Sequence, residues 1–252
     1  MSATDKMTVP LGISGTRLVS LLTPPLPTTP INIQIDLTRP IDEEEGEVAD
    51  SLLEERSRKG LLNYLGGLYE ALAGAYGHGH DIVLTLETVH PEFTRGKEAV
   101  YGYGCMGGTF DRLHIGHLIL LSAGVLATTS GLKVGVTDDS MLTQKAHAEL
   151  IQPVEFRIAE VERVLARLLP GHSFDVFPIY DPWGPTREDP VLDAMVVSKE
   201  TEAGGEAIRK ARIENGFPEI GVVVVDLVQG DSAPGFKVSS STLRAQEAAR
   251  NQ

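Results

Sequence analysis

The chain has 252 residues, 42% of them hydrophobic, and a formal net charge of −13. That length holds one large domain or a domain with a smaller companion, and that composition supports a buried core. The acidic balance sets a repulsive mean field against nucleic acid, and no run nears the roughly 18 consecutive apolar residues of a membrane span, so neither is expected as a partner.

The N-terminus MSATDKMTVP lacks a secretory apolar stretch and an Arg-rich amphipathic one, so export is not expected. The Pro-rich stretch Thr23 to Pro30 reads as a linker or extended edge. Ile31, Ile33, Ile35 and Leu37 then alternate with polar residues, the period of a half-buried strand. The acidic run Asp42 to Glu47 reads as a solvated loop. From Ser51 to Tyr76 apolar residues keep helical spacing, although Gly60, Gly66 and Gly67 weaken it, and Ile82 to Leu86 reads as a second strand. His78, His80 and His90 have no acidic partner at ligand spacing and read as exposed loop histidines. Residues 1–97 are thus expected to form a small β-α-β extension without a chemical motif.

Residues 98–252 alternate regularly. Ala99 to Met106 predicts a strand, Ile115 to Ala127 a helix, Leu132 to Val136 a strand, and Val154 to Leu169 a helix with Phe156, Val161, Leu165 and Leu168 on one side. Strands are expected at Phe174 to Ile179, Ala194 to Val197 and Val222 to Val228, with a helix from Gly205 to Asn215 stopped by Gly216. Near-continuous apolar strands indicate a parallel sheet covered on both faces, and alternating β and α elements predict a doubly wound, Rossmann-like α/β domain. Ligands of such a domain sit at the C-terminal ends of its strands. Cys105 is the only cysteine, which excludes an intrachain disulfide and a Cys-rich metal site and fits a reducing, cytoplasmic location.

The strongest motif is the stretch from Gly107 to His117, GGTFDRLHIGH, between the first strand of this domain and its helix. The glycines let the backbone approach a ligand, and the helix that follows begins with N–H groups and a positive dipole end that favour phosphate. His114 and His117, three residues apart, would share one face of that helix and aim at one phosphate. Helix capping or a zinc site are the alternatives; HxxH without nearby Cys or Glu is a poor zinc site. GxGxxG is absent, which disfavours hydride chemistry. The second motif, Lys237 to Arg244 (KVSSSTLR), places consecutive hydroxyls before a final helix, where they can cap it or hold phosphate oxygens.

Together GGTFDRLHIGH and KVSSSTLR resemble the HxGH nucleotidyltransferase superfamily. The text between them, VGVTDDSMLTQK, ELIQPVEFR, FDVFPIYDPWGPTREDP and VVSKET, resembles the pantetheine-phosphate adenylyltransferases of eukaryotes and archaea, including the adenylyltransferase domain of CoA synthase. The resemblance runs from about Tyr103 to the C-terminus. It implies transfer of AMP from ATP to 4′-phosphopantetheine, with Mg²⁺ accompanying ATP and no dedicated metal ligands. It implies that Gly108, Thr109 and Phe110 line the phosphate site, with Thr109 contacting substrate phosphate. His117 would stabilise the transition state at the α-phosphate and His114 would lie near the same phosphates. By the same resemblance Lys145 bridges the two substrates' phosphates, and Ser239, Ser240 and Ser241 hold the β and γ phosphates. An arginine of the helix after VVSKET, Arg212 in preference to Arg209, is expected to contact ligand. One departure is Ala203, where relatives of the CoA synthase type tend to have Arg.

No GxxxxGK[ST] occurs and the chain ends soon after the Ser motif, so a monofunctional enzyme is expected, able to join a complex with other enzymes of coenzyme A synthesis. A CTP-using transferase lacks the VVSKET neighbourhood, a tRNA synthetase needs tRNA-binding surface, and a retired nucleotide-binding regulator would be expected to lose His117, Lys145 or the Ser motif.

Overall fold

The computed structural model describes residues 6–10, 31–36, 64–69, 71–72, 82–86, 101–225 and 239–250. The Pro-rich stretch, the acidic run, His78, His80, His90, Lys237 and Val238 lie outside them, as do Ala99 and residues 226–228 at two strand ends. The chain divides into two compact units, Met1–Ala99 with Ala166–Gly171, and Val100–Leu165 with His172–Gln252.

The first unit holds a parallel three-stranded sheet in the order β1 (Lys6–Pro10), β2 (Ile31–Asp36), β3 (Ile82–Leu86). Met7 stands opposite Ile33 in register and Ile33 opposite Leu84, and Ile33 and Leu84 are both buried. Residues 64–69 and 71–72 are helical despite Gly66 and Gly67, because Tyr64, Leu65, Leu68, Tyr69 and Leu72 are all buried. Burial of that face outweighs the roughly 1 kcal/mol helix cost of each glycine. Tyr69 accepts a hydrogen bond from the Leu84 N–H at 3.2 Å, tying helix to sheet. β1 is an addition to the expected β-α-β unit: its five residues end in Pro10, too short a run to carry a period of its own.

The second unit is built on a parallel five-stranded sheet in the order β6-β5-β4-β7-β8. β4 spans Tyr101–Gly108, β5 Thr128–Thr137, β6 Phe174–Ile179, β7 Ala194–Ser198 and β8 Gly221–Val225. Helix α1 (Ile115–Ala127) joins β4 to β5, α2 (Val154–Leu168) joins β5 to β6, α3 (Glu202–Glu214) joins β7 to β8, and α4 (Ser240–Arg250) ends the described chain. The Rossmann-like expectation therefore holds: strand order reverses beside β4, and the crevice where ligands of such folds bind lies at the C-terminal ends of β4 and its neighbours.

Alternation along the strands sorts residues to the two faces. Met106 and Leu132 meet α1, which lies so close that a Cβ on Gly124 would come within 2.9 Å of Leu132. The opposite face buries Cys105, Leu192, Met195, Val197 and Ile220, with Ile208 of α3 packed on them. β4 runs two residues past its expected end and absorbs Gly107 and Gly108, which pair with Gly135 and Val136 of β5. Phe156 was expected on the inner stripe of α2 but is 48% exposed, and Arg157, fully buried, takes that place. The link from β6 to β7, residues 180–193, crosses the sheet with a single 3-10 turn at Gly184–Arg187 instead of a helix.

Candidate active site

At the C-terminal end of β4 the chain makes a constrained turn. Phe110 and Arg112 both have positive φ, 50° and 47°, a region that non-glycine residues avoid. The conformation persists because its surroundings dictate it. Arg157 donates to the Thr109 carbonyl at 2.6 Å, and the Arg112 N–H donates to the Gln152 side chain at 2.9 Å. Asp111, fully buried, accepts from Arg244 at 2.7 Å, Arg112 at 3.0 Å and the Gln152 N–H at 3.1 Å. The Phe110 ring folds back across Gly108, where a Cβ would lie 3.1 Å from it, and faces His117 with 5.4 Å between ring centroids.

His114 and His117 do cap α1. His114 Nδ1 accepts from the Gly116 N–H at 3.2 Å, and His117 Nδ1 accepts from the His114 N–H at 3.4 Å. Their rings lie 4.0 Å apart at 33°. Accepting at Nδ1 fixes the neutral tautomer with the proton on Nε2, so each ring carries a donor on its far edge. Capping and phosphate binding are therefore compatible. The expectation of free helix N–H groups needs correction: those of Gly116, His117 and Leu118 are bonded to His114. The N–H of Ile115 is the one in that first turn with no acceptor among the described residues, and the two imidazoles add side-chain donors. Burial, the neighbouring His114 and the Lys145 charge push the His117 pKa well below the ordinary histidine value, which keeps the ring neutral at pH 7.

Lys145, in the loop after β5, donates to the Thr109 hydroxyl at 2.8 Å. Partial burial and the nearby Arg244 charge lower its pKa. Ser239, Ser240 and Ser241 open α4. Ser239 caps it by accepting from the Thr242 N–H at 3.2 Å, and Ser241 accepts from Arg244 at 3.2 Å. The Ser240 hydroxyl has no hydrogen-bond partner among the described residues. Arg244 brings three segments together: besides Asp111 and Ser241 it donates to the Ala146 carbonyl at 3.1 Å, one residue from Lys145. Arg112 adds a second tie to α4 through Glu247 at 2.6 Å. Gly108, Thr109, Phe110, His114, His117, Lys145 and the three serines thus gather at one end of the sheet.

Arg212 does not join them. It is fully buried on α3, and its guanidinium donates to the carbonyls of Thr186, Asp189 at 2.9 Å, Pro218 at 3.1 Å and Leu192 at 3.4 Å. Arg209 pairs with Glu206 and Glu219 at the surface, and Ala203 is exposed in the first turn of α3. The arginines at the site are Arg157 and Arg244 instead. Arg157 donates to Asp139 at 2.6 Å and to the Gln152 carbonyl at 2.7 Å. A trace of Arg157 existed in the sequence: it stands four residues before Val161, a cation on the apolar stripe of α2.

Beside Gly107 a pocket opens between the sheet and the 180–193 crossover. Gly107 and Gly135 pair across β4 and β5 and leave its floor without side chains, while Ile179, Trp183, Met195 and Ile208 supply apolar walls and Lys133 a charge. No helix among the described residues is long and apolar enough to cross a membrane.

A parallel α/β domain with two histidines at the head of its first helix and a serine-headed last helix defines the class. The chain belongs to the cytidylyltransferase-like family, whose pattern matches residues 105–246. Its relatives include a phosphopantetheine adenylyltransferase of Saccharomyces cerevisiae, 39% identical over 141 residues that make up 55% of this chain and 46% of the yeast protein. The protein of that name in Methanopyrus kandleri is 39% identical over 142 residues, 56% of this chain and 87% of the archaeal one. An uncharacterised protein of Schizosaccharomyces pombe is 33% identical over 155 residues, 59% of this chain and 49% of its own length. The chain spans about half the length of these two fungal relatives.

Proposed function

We propose that the chain is a phosphopantetheine adenylyltransferase, moving AMP from ATP to 4′-phosphopantetheine to give dephospho-CoA and pyrophosphate in coenzyme A synthesis. The observation that carries the reading is the Lys145–Thr109 hydrogen bond of 2.8 Å, with the Lys145 charge felt by His117 of the paired histidines and an apolar pocket opening beside Gly107. A cationic donor, a hydroxyl and two imidazoles suit a phosphate-to-phosphate transfer, and the apolar walls beside Gly107 offer a surface to the uncharged arm of the acceptor.

In this reading an oxygen of the acceptor's 4′-phosphate attacks the α-phosphorus of ATP. The new P–O bond forms as the bond to the pyrophosphate oxygen breaks in line, and pyrophosphate leaves with the electron pair. Lys145 and Thr109 hold the attacking phosphate. His117, with its Nε2 proton, donates to the α-phosphate oxygens as charge builds, and His114 reinforces it. Ser239, Ser240 and Ser241 meet the departing phosphates, Ser239 and Ser241 exchanging their hydroxyl contacts within α4 for phosphate oxygens. Arg212 keeps a ligand role only if the Thr186 to Leu192 segment releases it. Mg²⁺ travels as counter-ion of the ATP phosphates; among the described residues no cluster of three His, Cys, Asp or Glu could hold a metal ion, and no protein ligand is assigned to it. The reading assigns chemistry to residues 98–252, leaves residues 1–97 outside it, and includes a cytoplasmic location and contact with other enzymes of the pathway.

The test is pyrophosphate release from the full chain with Mg²⁺, crossing ATP or CTP with 4′-phosphopantetheine, phosphocholine, glycerol 3-phosphate or nicotinamide mononucleotide. Turnover with ATP and 4′-phosphopantetheine alone is expected. Turnover with another pair would move the chain to a different acceptor, and none at all would leave a nucleotide-binding protein without this activity.

A further inference from the structure

A lysine in the middle of a sheet needs a reason. Lys133 stands on β5, between β4 and β6, opposite Cys105 on a face whose neighbours Cys105, Met195 and Val197 are buried. Burial pushes the Cys105 thiol up to about 11, a measure of how poorly that face supports charge. The Lys133 ammonium nonetheless donates to Asp189 at 2.6 Å, and the hydrogen bond raises its pKa. Among the described residues its hydrogen-bond partner is Asp189, and Asp175, opposite it on β6, adds a second carboxylate charge that also raises its pKa. The Lys133 side chain is 29% exposed, and it lines the pocket beside Gly107.

Asp189 is held from behind. Its other carboxylate oxygen accepts from the Val191 N–H at 3.0 Å, and its carbonyl accepts from the buried Arg212 at 2.9 Å. Arg212 thereby ties the crossover to α3 and fixes where the ion pair stands. At 29% and 13% exposure the ion pair adds little stability by itself, because solvent screens much of the attraction. A fixed donor in a mostly apolar slot is the arrangement that orients a mostly apolar ligand carrying a few polar groups.

We propose that Lys133, held in place by Asp189, reads an amide of the acceptor's arm by donating to its carbonyl oxygen, and so sets which acceptor the pocket takes. This rests on the acceptor assigned above, whose arm carries amides. The contact forms in the ground state and lies away from the phosphates, so its loss falls on acceptor KM and leaves the KM for ATP alone.

The experiment compares steady-state kinetics of the full chain and K133M with two acceptors, 4′-phosphopantetheine and a straight-chain alkyl phosphate of similar length. For K133M the acceptor KM should rise roughly 10-fold or more with 4′-phosphopantetheine, the range for losing a hydrogen bond to a charged group. It should stay within about twofold with the alkyl phosphate, which has nothing for Lys133 to read. K133R, which keeps a charged donor, should recover most of the loss. Should K133M fail to fold, K133M/D189L, which strands neither charge, carries the same expectation. Unchanged acceptor KM in a folded variant with an active parent overturns the amide-reading lysine and leaves the proposed function intact. A double variant that also fails to fold makes the pair part of the framework and overturns the proposal as well. A parent inactive with ATP and 4′-phosphopantetheine overturns both.

Discussion

Arg244 and Asp111, 133 residues apart in the chain, meet at 2.7 Å with side chains 1% and 0% exposed. The pair joins α4 to the turn after β4, so the two sequence motifs are one structural object. Replacing Asp111 by Ala strands a buried guanidinium, and a loss of about 3–5 kcal/mol in unfolding free energy is expected from urea denaturation. A loss under about 1 kcal/mol would mean that the contact is solvated.

In the proposed mechanism His117→Ala removes the donor assigned to the reacting phosphate. Turnover should fall about 10²- to 10³-fold with little change in KM for either substrate. Activity within a few-fold of the parent would take His117 out of the mechanism.

The lowered pKa of His117 fixes a pH dependence of stability. The unfolded chain takes up a proton near the ordinary histidine value of about 6.5, while the folded site resists it. Stability from this group is therefore present above about pH 6.5 and is lost as pH falls from there toward the folded pKa. His172, also lowered by burial, acts in the same direction. Melting temperatures from pH 7 down to 5 should drop, and His117→Gln should flatten part of that drop; an equal slope in the variant would show that His117 titrates normally.

Arg212 separates a structural from a ligand role. Arg212→Met removes the partner of four backbone carbonyls, each costing about 1–3 kcal/mol if left unsatisfied. A large fall in melting temperature is expected, whereas Arg209→Ala, at the surface, should leave the melting temperature close to the parent's. An unshifted melting temperature for Arg212→Met with a raised KM for ATP would restore the ligand role expected from sequence.

Gly135→Ala tests the pocket floor. The added Cβ would lie 2.7 Å from Ile179 Cγ2, so the pocket wall must shift. A loss of about 1–3 kcal/mol is expected, with a raised KM for the acceptor. Unchanged values on both counts would place the acceptor elsewhere.

Much of this protein was legible in its sequence. Period and punctuation alone located α1 at both ends and β6 at both ends, because each is a short apolar run bounded by turn residues. The alternation of strands and helices implied the parallel sheet, since only crossovers with a fixed hand join parallel strands. The motif glycines, histidines and serines were visible because their chemistry is local: a cap, a turn and a helix head are made by residues near one another in the chain. Tertiary structure decided the rest. Whether Arg157 or Phe156 faces inward depended on carbonyls and a carboxylate brought from other segments, and Arg212 became a framework residue because a loop folded against α3 offered it four acceptors. The pairing of Lys133 with Asp189 likewise exists only because the crossover after β6 returns over β5. Sequence determines which groups can cap, turn or bury; buried polar partners are chosen by long-range contacts, and those are settled only when the sheet has assembled.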